Sequence, residues 1–254
     1  MQNPLIIANW KMKLLPSQSL DLARKLKKAS SKYAGAEVVV CPSFTEIAQV
    51  GEIIKDTNIK LGAQDCFWEE QGAFTGEVSP KSLLDYGVEY ILVGHSERRQ
   101  NLSETGDMIH KKVRLLFTLD ITPVLCIGET FEERQDGLKD VVLTRQLHNA
   151  LNGLWLNKGD KLVIAYEPVW VIGSGQDVDP EEIGHTHQII NQVLYDIFEN
   201  SVVKDQIKVI YGGSVDPENV GAYISKASVQ GALVGTASLD ATQFSAIVAQ
   251  AKKL

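Results

Sequence analysis

Eight short runs rich in β-branched and other apolar residues recur along the chain, and their number and spacing constrain the fold more than any other feature. They are LIIANW from Leu5, AEVVVCP from Ala36, IKLGAQ from Ile59, YILVGH from Tyr90, TPVLCIG from Thr122, LVIAYE from Leu162, IKVIYGG from Ile207 and GALVG from Gly231. Between them lie segments with apolar residues at helical spacing, such as SLDLARKLKKASSKY, TGDMIHKKVRLLFTL and EEIGHTHQIINQVLYDIFEN. Buried strands alternating with amphipathic helices predict a parallel α/β sheet. Such a sheet either stays open and doubly wound or closes on itself. Eight units with short connections favour closure, and no GxGxxG follows the first run to support a dinucleotide-binding sheet. A length of 254 residues suits one α/β barrel, and no low-complexity linker or shift in composition divides it. The expected architecture is a single-domain (β/α)8 barrel over residues 1–254.

Composition narrows the partners. With 44% hydrophobic and 22% charged residues the chain can bury a large core and lacks the signature of disorder. A formal net charge of -7 argues against nucleic acid as a partner, so any phosphate must be met locally. Cys41, Cys66 and Cys126 are odd in number, far apart and outside any CxxC or CxxH pattern, which suits packing in a reducing cytoplasm. The opening MQNPLIIANWKMK has no cleavage-like site after its short apolar run, and no later run is long enough to span a membrane.

In a barrel of this kind the strand C-terminal ends converge on one face, where active sites are built. The first strand would end in Asn9, Trp10 and Lys11, the fourth in Gly94, His95 and Ser96, and the sixth in Glu167. The last two would end in Gly212, Gly213 and Ser214 and in Gly235 and Thr236. Each residue has a plain structural reading beside the functional one. Glu167 is either an ion-pair partner or a general base, and the Pro168-to-Gly175 segment after it is either an ordinary connection or a hinged lid that excludes water. His95 is either a hydrogen-bonded core histidine or, at the start of a SERR helix that disfavours imidazolium, a neutral hydrogen-bond donor. Lys11 is either a surface lysine or a cation that fixes an anionic substrate and steadies developing negative charge. Asn9 is either turn chemistry or a second donor. The Gly/Ser-rich turns YGGSV and LVGTAS follow the two strands where barrel phosphate sites form from backbone N–H groups. His185 and His187 lie two apart on a helix and face apart, His110 and His148 read as helix-surface residues, and no metal is expected.

Six stretches, NWKM, GAFTGE, VGHSERR, CIGET, AYEPVW and YGGSV, resemble the triosephosphate isomerase family in order and spacing over essentially the whole chain. The resemblance implies a cofactor-free homodimer interconverting dihydroxyacetone phosphate and D-glyceraldehyde 3-phosphate in glycolysis and gluconeogenesis. It implies Glu167 as base, His95 as electrophile, Lys11 as electrostatic partner with Asn9 beside it, and phosphate held at Gly173, Ser214, Gly235 and Thr236. It also implies that the loop carrying GAFTGE inserts into a second subunit with Thr75 near its active site. Phe67 and Trp68, read as exposed, hint at burial in that partner. Two departures stand out: Thr236 where a second glycine is typical, and a lid reading VIGSGQ where AIGTGK is commoner. Other phosphate-binding barrels, such as indole-glycerol-phosphate or phosphoribosyl enzymes, share the last two turns but not NWKM, VGHSERR and YEPVW together. A non-catalytic binding protein on the same scaffold would be expected to lack at least one of Lys11, His95 and Glu167.

Overall fold

The computed structural model describes residues 3–172 and 177–252. Its eight strands are β1 Leu5–Asn9, β2 Glu37–Cys41, β3 Ile59–Ala63, β4 Val88–Val93, β5 Thr122–Ile127, β6 Leu162–Tyr166, β7 Ile207–Tyr211 and β8 Gly231–Val234. Each pairs in parallel with the next, and β1 pairs with β8, so the sheet closes into a barrel. All eight expected strands are present. The fourth begins at Val88, two residues earlier than its apolar run, because exposed Glu89 interrupts the run without interrupting the strand.

The helices are α1 Pro16–Ala29, α2 Ile47–Ile54, α3 Pro80–Asp85, α4 Ser96–Asn101, α5 Gly106–Thr118, α6 Phe131–Gln135, α7 Lys139–Leu151, α8 Pro180–Ile197, α9 Asn200–Gln206, α10 Val220–Ile224 and α11 Ala241–Ala251. Their starts follow local chemistry. Proline stands in the first turn of α1, α3 and α8, where its missing N–H costs nothing. Ser79, Thr105, Thr130, Asp179 and Asp240 accept hydrogen bonds from first-turn N–H groups.

Strand residues alternate between two cores. Ile6, Ala8, Val38, Val40, Ile91, Val93, Ile164 and Val209 pack outward against helix residues such as Leu26, Val113, Leu147 and Ile190. Leu5, Ile7, Val39, Cys41, Tyr90, Leu92, Val124, Cys126, Val163, Ala165, Ile210 and Leu233 fill the barrel interior. Truncating one such buried leucine or isoleucine to alanine costs about 2–5 kcal/mol. The interior is therefore a packed plug, and chemistry is confined to its two mouths.

Candidate active site

Strand parity selects the residues of the C-terminal mouth. Inward positions run 5, 7 and on to Asn9 in β1, 163, 165 and on to Glu167 after β6, and 210 and on to Gly212 after β7. Asn9, Lys11, Glu167, Gly212 and Gly235 line one cleft of about 250 Å3 with His95, Ser214 and Thr236. His95 has the outward parity of Ile91 and Val93, yet it reaches this cleft. Gly94, at φ +72°, turns the chain out of the strand and redirects it.

Lys11 itself sits at φ +52°, a left-handed conformation unusual for a residue with a side chain. It is held there from both sides. Its N–H donates to Asn9 Oδ1 at 3.0 Å, while its carbonyl accepts from Gln64 Nε2 at 2.9 Å and from Ser43 Oγ at 3.2 Å. The ammonium lies 2.6 Å from Glu97 Oε1, and a Cβ on Gly235 would stand 3.9 Å from Nζ, so the cation spans from the helix α4 side to the last turn. Burial alone would raise the Glu97 carboxyl, but the hydrogen bond and charge of Lys11 outweigh it and hold its pKa below the ordinary value. Glu97 stands next to the HS pair in sequence, but nothing in the pattern said it would pair with Lys11.

His95 caps α4. Its Nδ1 accepts the backbone N–H of Glu97 at 3.2 Å, which leaves the ring N–H of the neutral tautomer on Nε2. Nε2 lies 3.3 Å from Glu167 Oε1. Glu167 is 1% exposed, and its Oε2 accepts the N–H of Ser96 at 3.3 Å. Oε1 makes no hydrogen bond among the described residues, although His95 Nε2 stands 3.3 Å away and the Cys126 thiol adjoins the carboxylate. A buried carboxylate with one oxygen unsatisfied is costly and is suited to accept a proton.

Two glycines make room for this carboxylate. A Cβ on Gly128 would lie 1.7 Å from the Glu167 carbonyl oxygen, and one on Gly212 would lie 2.9 Å from Glu167 Cγ. The backbone of Glu167 is fixed by N–H donation to the Ile127 carbonyl at 2.7 Å. Sequence reading named CIGET and YGGSV, and their glycines are what let three strand ends close around the glutamate.

Beyond Glu167 the chain turns through a single 3-10 turn, Val169–Val171. Trp170 Nε1 donates to Glu129 Oε1 at 3.0 Å, and Tyr166 Oη donates to both Glu129 oxygens at 3.1 and 3.2 Å. Burial raises the Glu129 pKa against the pull of these donors. The Arg134 guanidinium, held by Glu182 through two bonds of 2.6 and 2.8 Å, lies over the Trp170 ring at 4.4 Å. Gly173, expected at the phosphate, lies outside the described residues, as does Gln176.

Ser214, Gly235 and Thr236 line the same cleft as the carboxylate. Thr236 opens a 3-10 turn, Thr236–Leu239, whose first N–H groups have no partner within the turn and are disposed to bind an anion. Thr75 does not line the cleft; it lies exposed in the tip of the loop between β3 and α3. The reading of Phe67 and Trp68 as exposed is corrected. Phe67 is 7% exposed, stacked on Trp68 with ring centroids 4.0 Å apart and against Phe74 at 4.5 Å, and Trp68 is half-buried. A loop that long folds on its own aromatic stack, and Phe74, 44% exposed, is the aromatic it leaves to solvent.

All three cysteines are free and buried. On α8, His185 is exposed while His187 is fully buried and bonded through Nδ1 to the Ser228 carbonyl at 3.1 Å. Among the described residues no group of three or more His, Cys, Asp or Glu is disposed to hold a metal ion, and no helix is long and apolar enough to cross a membrane.

Comparison with known proteins yields consistent matches. A family model described as Triosephosphate isomerase matches residues 4–251. The chain is 41% identical over 248 residues to the triosephosphate isomerase of Dictyoglomus turgidum, covering 98% of this chain and 99% of that one. It is 43% identical over 248 residues to that of Geobacter metallireducens, covering 98% of each. The crystal structure of triosephosphate isomerase from Bartonella henselae superposes with a TM-score of 0.84 at 33% identity, covering 96% of this chain and 97% of that one.

Proposed function

The chain belongs to the triosephosphate isomerase family and is an isomerase of triose phosphate, and from that premise we propose how its residues divide the work. The reaction interconverts dihydroxyacetone phosphate and D-glyceraldehyde 3-phosphate. Glu167 takes a proton from the carbon next to the carbonyl, and the C–H electron pair becomes the double bond of an enediolate. His95 donates from Nε2 to the substrate oxygens, and the Lys11 ammonium offsets the negative charge. The hydroxyl proton on the first carbon's oxygen passes to the former carbonyl oxygen, and Glu167 returns its proton to the neighbouring carbon as the first oxygen becomes the new carbonyl. Asn9 fixes the Lys11 backbone and adds a neutral donor.

One observation carries the reading: a nearly fully buried carboxylate, Oε1 unsatisfied, faces the N–H-bearing nitrogen of His95 across 3.3 Å in a cleft that also holds Lys11. The substrate phosphate would sit on the backbone N–H groups of Ser214, Gly235 and Thr236, with Gly173 as a fourth donor. Backbone donors reconcile phosphate binding with a chain of net charge -7. An enediolate next to a phosphate-bearing carbon loses phosphate by elimination when water and flexibility admit it. A closing segment after Glu167 would protect it and strengthen every charge interaction in the cleft.

We further take the chain to work as a single-domain, cytoplasmic homodimer of glycolysis and gluconeogenesis, the loop bearing Thr75 reaching the partner. The exposed tip, with Phe74 at the surface, supports that reading. A coupled assay in both directions on wild type and Glu167→Gln tests the chemistry. Fast turnover that collapses by about 10²–10⁴-fold in the folded variant is expected; unchanged turnover in the variant would overturn the role of Glu167.

A further inference from the structure

The SERR stretch carries two arginines with different fates. Arg98 pairs with two carboxylates, Asp65 Oδ2 at 2.8 Å from Nη2 and Glu104 Oε2 at 3.3 Å from Nε. Arg99 has no carboxylate within salt-bridge distance among the described residues. Its guanidinium is instead spent on two backbone carbonyls, with Nε donating to Gly94 O at 2.6 Å and Nη2 to Cys126 O at 2.9 Å. A half-buried guanidinium without a counter-ion is expensive, and burial pushes its pKa down, opposed by the fields of Cys126, Glu104 and Glu167.

The two carbonyls are not arbitrary acceptors. Gly94 immediately precedes His95. Cys126 immediately precedes Ile127, whose carbonyl accepts the Glu167 N–H. Arg99 sits on α4, the same six-residue helix whose first residue, Ser96, donates its N–H to Glu167 Oε2 and whose cap is His95. Arg99, Cys126 and Glu167 also line one small cavity of about 170 Å3. The close approach depends on Gly94, because a Cβ there would lie 2.8 Å from Arg99 Nη2.

We propose that Arg99 is a positioning residue for the isomerisation, a cationic clamp that ties the strand end carrying His95 to the strand end anchoring Glu167. It fixes the distance between proton acceptor and hydrogen-bond donor without touching substrate. This rests on Glu167 being the base. A bidentate fork suits the task because its two N–H directions are rigid, so one side chain sets the spacing of two strands; a lysine ammonium offers three donors from one freely rotating point and does not fix two directions in a plane.

The experiment measures kcat, KM and thermal midpoint for Arg99→Ala, Arg99→Lys, Glu167→Gln and the Arg99→Ala/Glu167→Gln double variant, with and without millimolar methylguanidinium. A loss of about 10²-fold in kcat is expected for Arg99→Ala, with KM within about twofold, because displaced catalytic groups lose turnover rather than binding. Methylguanidinium should restore part of the loss where methylammonium does not, and Arg99→Lys should fall between wild type and Arg99→Ala. In the Glu167→Gln background, removing Arg99 should cost little more, since the two act as a unit. A full, additive loss in that background overturns the clamp, as does a kcat within about threefold of wild type in folded Arg99→Ala. If Arg99→Ala does not fold, Arg99→Lys decides: wild-type kcat overturns the clamp, while reduced kcat at unchanged KM supports it. Glu167→Gln that retains turnover defeats the base assignment instead, so the two failures read differently.

Discussion

The two mouths of the barrel each hold a glutamate, and their surroundings are opposites. At the N-terminal mouth, Glu37 accepts from Tyr90 Oη at 2.6 Å and is flanked by the Lys60 ammonium at 3.0 Å and the Lys208 ammonium at 3.1 Å. Burial alone would raise its carboxyl, but these donors outweigh it and hold the pKa down at about 2. At the C-terminal mouth, Glu167 is more deeply buried and has an oxygen with no donor. Nearby cations do not neutralise it: Lys11 is bound to Glu97, and Arg99 is spent on carbonyls. One end of the barrel satisfies its charge and gains stability. The other leaves one carboxylate oxygen without a hydrogen bond, in a cleft it shares with Lys11 and His95.

Among substitutions that leave both glutamates in place, the largest effect that should separate the two ends is Lys11→Met. It removes the cation from the reactive mouth, and steady-state kinetics should show kcat/KM lower by about 10²–10³-fold. The thermal midpoint should change little, because Lys11→Met also relieves no core packing.

Acid unfolding supplies the next contrast, and it divides by pH window. His187, fully buried on α8, has its pKa lowered to about 4 by desolvation, against the bond from its ring to the Ser228 carbonyl. The unfolded chain therefore binds a proton at this site that the folded chain does not, between the ordinary value of about 6.5 and about 4. Its contribution is complete above pH 6.5 and is lost as pH falls through that window, a total of about 3 kcal/mol. Denaturant titrations at pH 7 and 4.5 should show that loss in wild type and a smaller one in His187→Gln. Glu37 has a depressed pKa as well, so its stabilisation is full above about 4.5 and disappears as pH falls towards about 2.

Glu37→Gln sharpens the comparison directly. Removing the charge leaves Lys60 and Lys208 facing a neutral amide and should lower the unfolding free energy by about 2 kcal/mol, while kcat stays within about twofold of wild type. A tenfold loss of kcat there would mean the two mouths are coupled. The smallest effect is expected from Trp170→Phe, which sits at the reactive end but belongs to a satisfied pair. Losing the indole donor to Glu129 should cost about 1 kcal/mol in denaturant unfolding.

Much of this layout was legible before any coordinates. The eight apolar runs became eight strands because burial on both faces of a parallel sheet requires them. Lys11, His95 and Glu167 could all be assigned to the mouth because each stands at the C-terminal end of an apolar run, and two-residue parity extended past the strand end also gives the direction of Lys11 and Glu167. His95 is the instructive exception. Its parity points outward, and only the positive φ of Gly94 brings it round, a backbone fact that residue types suggest but do not specify. Glu97 and Arg99 were visible only as parts of a helix start, since α4 is too short for periodicity to assign its faces. Phe67 misled because composition cannot tell a loop that folds on its own aromatics from one that offers them to a partner.

The most direct test of the central claim follows hydrogen itself. Dihydroxyacetone phosphate is incubated in heavy water with wild type and with folded Glu167→Gln, and deuterium at the carbon next to the carbonyl is read by proton NMR, alongside the denaturant stability of each. The account predicts rapid deuterium uptake in wild type, uptake slowed by at least about 10²-fold in the variant, and stability equal to or above wild type because an unsatisfied buried charge has gone. Undiminished uptake in Glu167→Gln, or a variant that is inactive only because it has lost the stability a paired structural carboxylate would supply, would contradict it.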